Sequence, residues 1–361
     1  MNRRERLRRC YYHEELDRPA VYSRTNYPPD DPSYDGLRAY LAEHAELKHI
    51  WNGCRRADAA PTEQRVEPIS EDWERHVTVL HTPAGDLTAS RRVSLKGQPG
   101  LAESWFVSSR EEAERYLSLP DPVFRNETES FFAADRRMGD RGITQAMLGA
   151  NPAGFVADHV CGSESFALLS VTERDTLHEL CRRRMEVLLG RVKFLLAKGV
   201  GPYFGIAGQE FLTPPLHGPR DFSEFNVRYD RPFFDLIHEA GGRVHVHCHG
   251  SIRHVFDGFL EAGVDVLHPF EAPPCGDISP SEAKERARGR MCLEGNIQIA
   301  DMYEASPEEV RRQTEALIED CFDDRRGLVV SPTASPYIRG AGEECLPRYR
   351  AMVEAVLEWA P

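Results

Sequence analysis

The chain has 361 residues, of which 41% are hydrophobic and 29% are charged. This composition excludes a disordered chain and a small disulfide scaffold, and the length allows a large core. The 45 basic and 58 acidic side chains give a net charge of −13, which disfavours nucleic acid as a partner because an acidic surface repels phosphate.

The chain has neither an apolar run of the roughly 20 residues that span a bilayer nor an apolar signal sequence at its start. We therefore expect a cytoplasmic protein that contacts no membrane. Its nine cysteines are scattered without a CxxC pair, so most of them are expected to be buried thiols.

Residues 1–140 have an irregular pattern. Residues 19–23 predict a strand and 35–46 a helix, and a second barrel strand falls either at 47–51 or in the hairpin described next. The alternating runs on both sides of the turn Thr-Pro-Ala-Gly-Asp predict a β-hairpin over residues 76–91. Ser109 and Glu112 form a capping box that opens a helix ending near residue 119.

Residues 141–361 alternate regularly between short apolar runs and helical patterns. The predicted strands are 143–148, 203–207, 244–248, 264–267, 291–293 and 328–331. Helices are predicted from about residue 153 and at 172–198, 222–240, 252–262, 280–288, 306–321 and 344–359. This rhythm predicts parallel βα units, which fit an α/β fold of the (β/α)8 barrel type. A doubly wound sheet is the alternative, but no glycine-rich phosphate loop follows any strand.

We expect residues 1–361 to form a single barrel domain. Its irregular first part would supply an N-terminal extension and the inserted hairpin, and residues 141–361 would supply the regular units.

The sequence Val-His-Val-His-Cys-His-Gly at 244–250 is the most informative motif. Side chains alternate along a strand, so His245, His247 and His249 share one face. His247 and His249 fall at the end of the strand, where barrel enzymes place their active sites, and two imidazoles at this spacing suit a divalent metal such as zinc. The alternative is one hydrogen-bonded core histidine beside others that bind substrate carboxylates.

Further polar side chains follow the other predicted strands. A catalytic zinc needs a third protein ligand, for which Glu271, Cys275 and Thr333 are the candidates. The remaining polar residues at strand ends are candidate substrate contacts, although each could instead satisfy loop backbone groups: Arg24, Tyr27, Gln209, Glu210, Asn296 and Tyr337.

The chain resembles the uroporphyrinogen decarboxylase superfamily over most of its length, and this resemblance implies a (β/α)8 barrel. The segments that carry it are 4–6, 15–19, 149–154, 162–164, 241–250, 263–267, 295–297 and 308–310. The zinc methyltransferases of the superfamily have His-x-Cys where this chain has His247 and His249, and they have a second cysteine after the last strand. This chain has Ser331-Pro-Thr-Ala-Ser335 there.

By resemblance the chain is a methyltransferase-like enzyme. Zinc on His247, His249 and Glu271 would activate a nucleophile, and the methyl group would pass between a small-molecule substrate and a corrinoid supplied by a partner protein. Glu210 would handle protons, and Arg24 and Tyr337 would anchor the substrate.

Two alternatives remain open. One is metal-free decarboxylation of a porphyrinogen or another carboxylated substrate, as in the decarboxylases of the superfamily. Arg24 keeps only the first arginine of their Arg-Gln-Ala-Gly-Arg motif. The other is a barrel that binds a ligand without catalysis.

Overall fold

A computed structural model describes residues 1–54, 61–96, 98–124 and 127–359 of the chain. The strands in these residues are β1 (Ala20–Val21), β2 (Leu47–Trp51), β3 (Thr62–Pro68), β4 (Trp73–Leu80), β5 (Leu87–Ser94), β6 (Leu101–Ser104), β7 (Gly142–Ala150), β8 (Tyr203–Ala207), β9 (Arg243–His247), β10 (Val266–His268), β11 (Cys292–Ile297) and β12 (Leu328–Pro332).

The α-helices in the described residues are α1 (Arg3–Tyr11), α2 (Asp35–His44), α3 (Arg110–Leu117), α4 (Glu129–Met138), α5 (Pro152–Phe155), α6 (Ser163–Thr172), α7 (Arg174–Ala197), α8 (Pro219–Asp221), α9 (Arg228–Glu239), α10 (Phe256–Ala262), α11 (Pro280–Ala287), α12 (Asp301–Glu304), α13 (Pro307–Cys321) and α14 (Gly342–Glu358). Short π-helical segments continue α5 over Val156–Val160 and join α8 to α9 over Phe222–Val227. None of these helices is long and apolar enough to cross a membrane.

Eight parallel strands form a barrel. The sheet runs in the order β1, β12, β11, β10, β9, β8, β7, β2, so neighbours from β7 to β12 follow one another in the sequence, while β1 pairs with β12 and β2 with β7. Its two edges meet through a parallel bridge between Tyr22 and Glu46, where the Glu46 amide donates to the Val21 carbonyl at 2.9 Å. The chain is therefore an α/β protein with a (β/α)8 barrel, as the sequence predicts.

Capping residues determine where the helices that cover the barrel begin, as helix α13 shows. Helix α13 begins after Ser306, whose side chain accepts a hydrogen bond from the Glu309 amide, and Pro307 occupies its first turn. Its apolar face buries Val310, Leu317 and Cys321.

Eight of the nine cysteines are buried and only Cys275 is exposed, in agreement with the buried thiols expected from the sequence.

Helix α1 supplies a side chain to the barrel interior. The ring of Tyr11 is buried and meets the ring of Tyr203 edge-on at 5.1 Å. Its hydroxyl donates to Oε1 of Gln145 on β7 at 2.8 Å. The helix is also tied to the β1–β2 edge, because Arg6 donates to Glu46 at 2.6 Å.

Some boundaries differ from the sequence prediction. The predicted hairpin is present, with Leu80 paired to Leu87, but it belongs to a four-stranded antiparallel sheet, β3-β4-β5-β6. The sequence did not reveal β3 because its residues are all exposed and no apolar face marks them. The predicted helix 172–198 is confirmed as α7, which begins at Arg174 because Glu173 leaves the helical region at φ −140° and separates it from α6.

Candidate active site

The central strands direct polar side chains into the barrel. In the parallel register His245 pairs with Gly205 and Val266, and His247 pairs with Ala207 and His268. Paired residues of parallel strands face the same side, so these positions share the interior. His245 and His247 line a central cavity of about 200 Å³. Cys248, on the opposite face, is buried.

A buried ion pair lies inside this cavity. Lys48 on β2 forms a short contact with Glu294 on β11, and both side chains are about 1% exposed. Nε2 of His245 lies 3.5 Å from the other oxygen of Glu294. Burial raises the pKa of Glu294, but the Lys48 ammonium and His245 outweigh it and hold this pKa well below its ordinary value. Glu294 is therefore ionised, and its charge is compensated by Lys48.

Arg24, from the loop after β1, lies against two imidazoles. Its Nη1 is 3.0 Å from Nδ1 of His247 and 3.2 Å from Nδ1 of His268, and these two Nδ1 atoms are 2.9 Å apart. Burial lowers the pKa of both histidines and the Arg24 charge adds to this effect, so both rings are neutral. No described carboxylate forms an ion pair with Arg24, which leaves its charge available to an anion in the cavity.

The tautomer of His268 follows from its partners. Its Nε2 lies 3.1 Å from the Pro332 carbonyl, which can only accept, so this nitrogen donates. Nδ1 of the neutral ring is then an acceptor and faces the Arg24 guanidinium.

At the mouth of the barrel, His249 is paired with Glu271. Its Nδ1 lies 2.9 Å from Oε2 of Glu271, whose side chain is 5% exposed, whereas the His249 side chain is 39% exposed. Burial raises the pKa of Glu271, but the hydrogen bond and charge of His249 outweigh burial, so the net pKa is below the ordinary value. The carboxylate therefore accepts from Nδ1 and leaves Nε2 of His249 free to take a proton.

Glu210 lies near this pair, in the turn after β8. Its Oε2 accepts from the Gly208 amide at 3.0 Å. Burial raises the pKa of Glu210, and the charge of His249 acts in the opposite direction. A buried carboxyl group with a raised pKa is suited to proton transfer.

Two of the predicted substrate contacts, Gln209 and Asn296, do not line the central cavity. Gln209 is buried and donates to Asp230 at 2.9 Å, in a cluster that also contains Asn151 and Asn226. Asn296 donates to the Phe270 carbonyl at 2.6 Å, while its Oδ1 is buried without a partner among the described residues.

Four further candidates do not line the central cavity. Tyr27 packs its ring against Tyr34 at 5.4 Å, and Tyr337 is 62% exposed. Cys275 is exposed, and the Thr333 hydroxyl accepts from the Ile299 amide at 3.2 Å.

The arrangement of donors does not fit a zinc ion with three protein ligands. Within the described ranges, no group of three or more His, Cys, Asp or Glu side chains is placed to hold a metal. Glu271 is engaged by His249. Nδ1 of His247 lies between the Arg24 guanidinium, which only donates, and the accepting Nδ1 of His268, so these contacts do not select one tautomer of His247. Arg24 also places a positive charge where a cation would bind.

Lys48, His268 and Glu294 were not among the site residues predicted from the sequence. Lys48 lies on the strand whose position was undecided, and Glu294 lies beyond the predicted end of β11. The available signal for His268 was its place in the strand next to the His-rich one.

Comparisons with known proteins agree with this architecture. The family model described as uroporphyrinogen decarboxylase (URO-D) matches residues 156–356. A solved structure of a methyltransferase from Methanosarcina mazei superposes with a TM-score of 0.62, covering 99% of each chain at 15% identity, which shows the fold alone.

A candidate vitamin-B12-independent methionine synthase from Listeria monocytogenes matches at 13% identity over 68% of this chain and 74% of its own. Its TM-score of 0.46 is too low for this match to show a shared fold. No curated protein matches the sequence.

Proposed function

The chain belongs to the uroporphyrinogen decarboxylase (URO-D) family, and from that premise we propose that it is an enzyme of methyl transfer. Its substrate in this proposal is a small carboxylated molecule, bound in the barrel with its reacting group at the mouth. The methyltransferase description of the Methanosarcina mazei structure supports this choice of reaction.

The pair of His249 and Glu271 is the observation that carries the proposal. With Nδ1 of His249 donating to Glu271, Nε2 can remove the proton from an O–H, N–H or S–H group of the substrate. The electron pair left on that atom forms the new bond to the methyl carbon as the bond from this carbon to its carrier breaks and its electrons stay on the carrier, while Glu271 stabilises the imidazolium. In the reverse direction the imidazolium returns its proton to the heteroatom that loses the methyl group.

Arg24 is the proposed anchor for the substrate. It lines the central cavity and has no carboxylate partner in the described part of the chain, and a guanidinium can bind a carboxylate through two parallel hydrogen bonds. The cavity of about 200 Å³ is smaller than the roughly 300–1,000 Å³ of drug-sized ligand pockets. A small substrate therefore suits this cavity better than a tetrapyrrole.

We propose a corrinoid, carried by a partner protein, as the methyl donor or acceptor, on the basis of the family resemblance. Zinc has no step in this mechanism because the placement of His247, His249 and Glu271 does not fit a three-ligand site.

Decarboxylation is the second candidate, and the position of Arg24 between two neutral imidazoles favours it. There Arg24 would hold the carboxylate that leaves as carbon dioxide. The carbon–carbon bonding electrons would stay on the substrate carbon, and Glu210, whose pKa is raised by burial, would supply the proton that this carbon takes.

Product analysis separates these candidates. Wild-type protein is incubated with methylcobalamin and, in turn, 3-mercaptopropionate, glycolate and glycine, and methylated product and carbon dioxide are both measured. Methyl transfer to at least one acceptor, without carbon dioxide, supports the main proposal. Carbon dioxide release favours decarboxylation, and saturable binding without turnover indicates a ligand-binding barrel.

A further inference from the structure

A second cavity lies outside the barrel, between helix α7 and the segment that follows helix α3. Its volume is about 170 Å³. Its walls are mostly apolar and include the aromatic rings of Tyr116, Phe124 and Phe155. The proposed reactions do not use it.

Three arginines of α7, Arg183, Arg184 and Arg191, line this cavity, and the guanidinium groups of the last two carry the inference. Arg184 donates to the Ala150 carbonyl at 3.3 Å, and Arg191 donates to the carbonyls of Leu148 and Cys54 at 2.7 and 2.5 Å. The Nε atoms of both arginines are buried and have no hydrogen-bond partner among the described residues. Each guanidinium thus keeps a donor that no described group of the protein satisfies.

The two positive charges lie close together without compensation. A Cβ built on Gly149 would be 3.9 Å from Nη2 of Arg184 and 4.0 Å from Nη1 of Arg191. Among the described side chains no carboxylate pairs with either group, whereas the neighbouring Arg183 is paired with Asp121. Burial, and then the charge of Arg191, lower the pKa of Arg184 to about 10. An anion placed between the two groups would relieve this repulsion.

Aromatic rings accompany both arginines. The Arg184 guanidinium carbon lies 4.0 Å from the centre of the Phe155 ring, and that of Arg191 lies 5.8 Å from the Phe124 ring. We propose that this pocket binds a small aromatic carboxylate, whose charge lies between Arg184 and Arg191 and whose ring packs on Phe155 and Phe124. The site is separate from the substrate site proposed at Arg24.

Calorimetric titration of the full chain with benzoate tests this inference. We expect saturable binding at one site that persists in Arg24→Gln, which locates it outside the barrel. Benzamide, the neutral isostere, should bind about tenfold more weakly or worse, and so should benzoate to Arg184→Gln, because a hydrogen bond to a charged group is lost. Arg182→Gln on the same helix is the matched control and should bind as the wild type does, since Arg182 is exposed and paired with Glu186.

Val187→Phe tests the cavity itself, because Val187 lines it and both guanidinium groups remain. This variant should lose benzoate binding while its circular dichroism stays that of the wild type. Absence of saturable binding to the wild type, equal affinity for benzamide, or loss of binding in Arg24→Gln would each overturn the inference. Displacement of benzoate by an equal concentration of inorganic phosphate would overturn the aromatic part of it.

Discussion

At the scale of single residues, His249 differs from His247 and His268 in its partner. His247 and His268 face a guanidinium, which can only donate, whereas His249 faces a carboxylate, which can only accept. The exposed histidine is thus the one with a defined free nitrogen. Opposite partners therefore give neighbouring imidazoles different chemical roles.

Replacement of His249 should remove acid–base catalysis. We expect His249→Ala to lower kcat for methyl transfer by about 10²–10⁴-fold, because the imidazole that takes the substrate proton is removed. Glu271→Gln keeps the shape and loses the charge that stabilises the imidazolium, so a loss of up to about 10⁴-fold is expected. Steady-state kinetics measure both, and equal rates for wild type and His249→Ala would remove His249 from the mechanism.

Replacement of Arg24 should affect binding more than turnover. Arg24→Gln loses a charged hydrogen bond to the substrate carboxylate, which contributes about 1.5–3 kcal/mol and corresponds to a rise in KM of about 10–150-fold. Arg24→Lys retains the charge without the planar fork of the guanidinium, so its KM should lie between those of the wild type and Arg24→Gln. A change confined to kcat would argue that Arg24 acts on the reacting atoms instead.

The sequence predicted these residues unequally. His249 and Glu271 could be selected as candidates from the sequence because alternation along a strand and position at a strand end are local properties. Lys48 and Glu294 were not found, since their contact joins residues 246 positions apart in the sequence. The tautomer of His268 depends on the Pro332 carbonyl, a partner that only the closed barrel brings near.

At the scale of elements, helix α9 fastens the loops around the mouth. Asp230 on this helix accepts from Asn151 after β7 at 3.1 Å and from Gln209 after β8 at 2.9 Å. Burial raises the pKa of Asp230 to about 7, although both hydrogen bonds lower it. The protonation of this carboxyl group therefore changes near neutral pH, and the stability of the contacts of α9 with the two loops depends on pH.

Stability should consequently fall as pH rises through this range. The folded pKa of about 7 exceeds the ordinary 3.8, so the folded state binds the proton more tightly. The stabilisation is complete below about pH 4 and is lost progressively up to about pH 7, by on the order of 4 kcal/mol. Urea unfolding across this pH range should show this loss of stability in the wild type but not in Asp230→Asn. Asp235→Asn, an exposed change on the same helix, should lose stability as the wild type does.

Helix α1 is the second element whose role can be measured. Tyr11→Phe removes the hydroxyl that donates to Gln145 and leaves a buried oxygen without this partner. We expect the free energy of unfolding to fall by about 1–3 kcal/mol. Tyr12→Phe removes an exposed hydrogen bond to the Gly241 carbonyl and should change stability much less, so equal losses would contradict the packing of Tyr11 inside the barrel.

At the scale of the whole molecule, the alternation of strands and helices was enough to predict the barrel. Strands such as β12 are buried at every residue, and this gives the continuous apolar runs that identify parallel units. The sheet β3-β4-β5-β6 was predicted only in part, because exposed strands such as β3 depend on backbone pairing and leave no apolar signature. Strand β1 pairs with β12 over only two residues, and its part in closing the barrel is evident only from the bridge between Tyr22 and Glu46.

The central claim is that the mouth of this barrel transfers methyl groups by imidazole and carboxylate chemistry on His249 and Glu271. The most direct test is the methyl-transfer rate of protein treated with a chelator and shown by mass spectrometry to contain no metal. The account predicts the same rate before and after metal removal, and a loss of activity in metal-free His249→Ala. A rate that disappears on chelation and returns with one zinc per chain would contradict it.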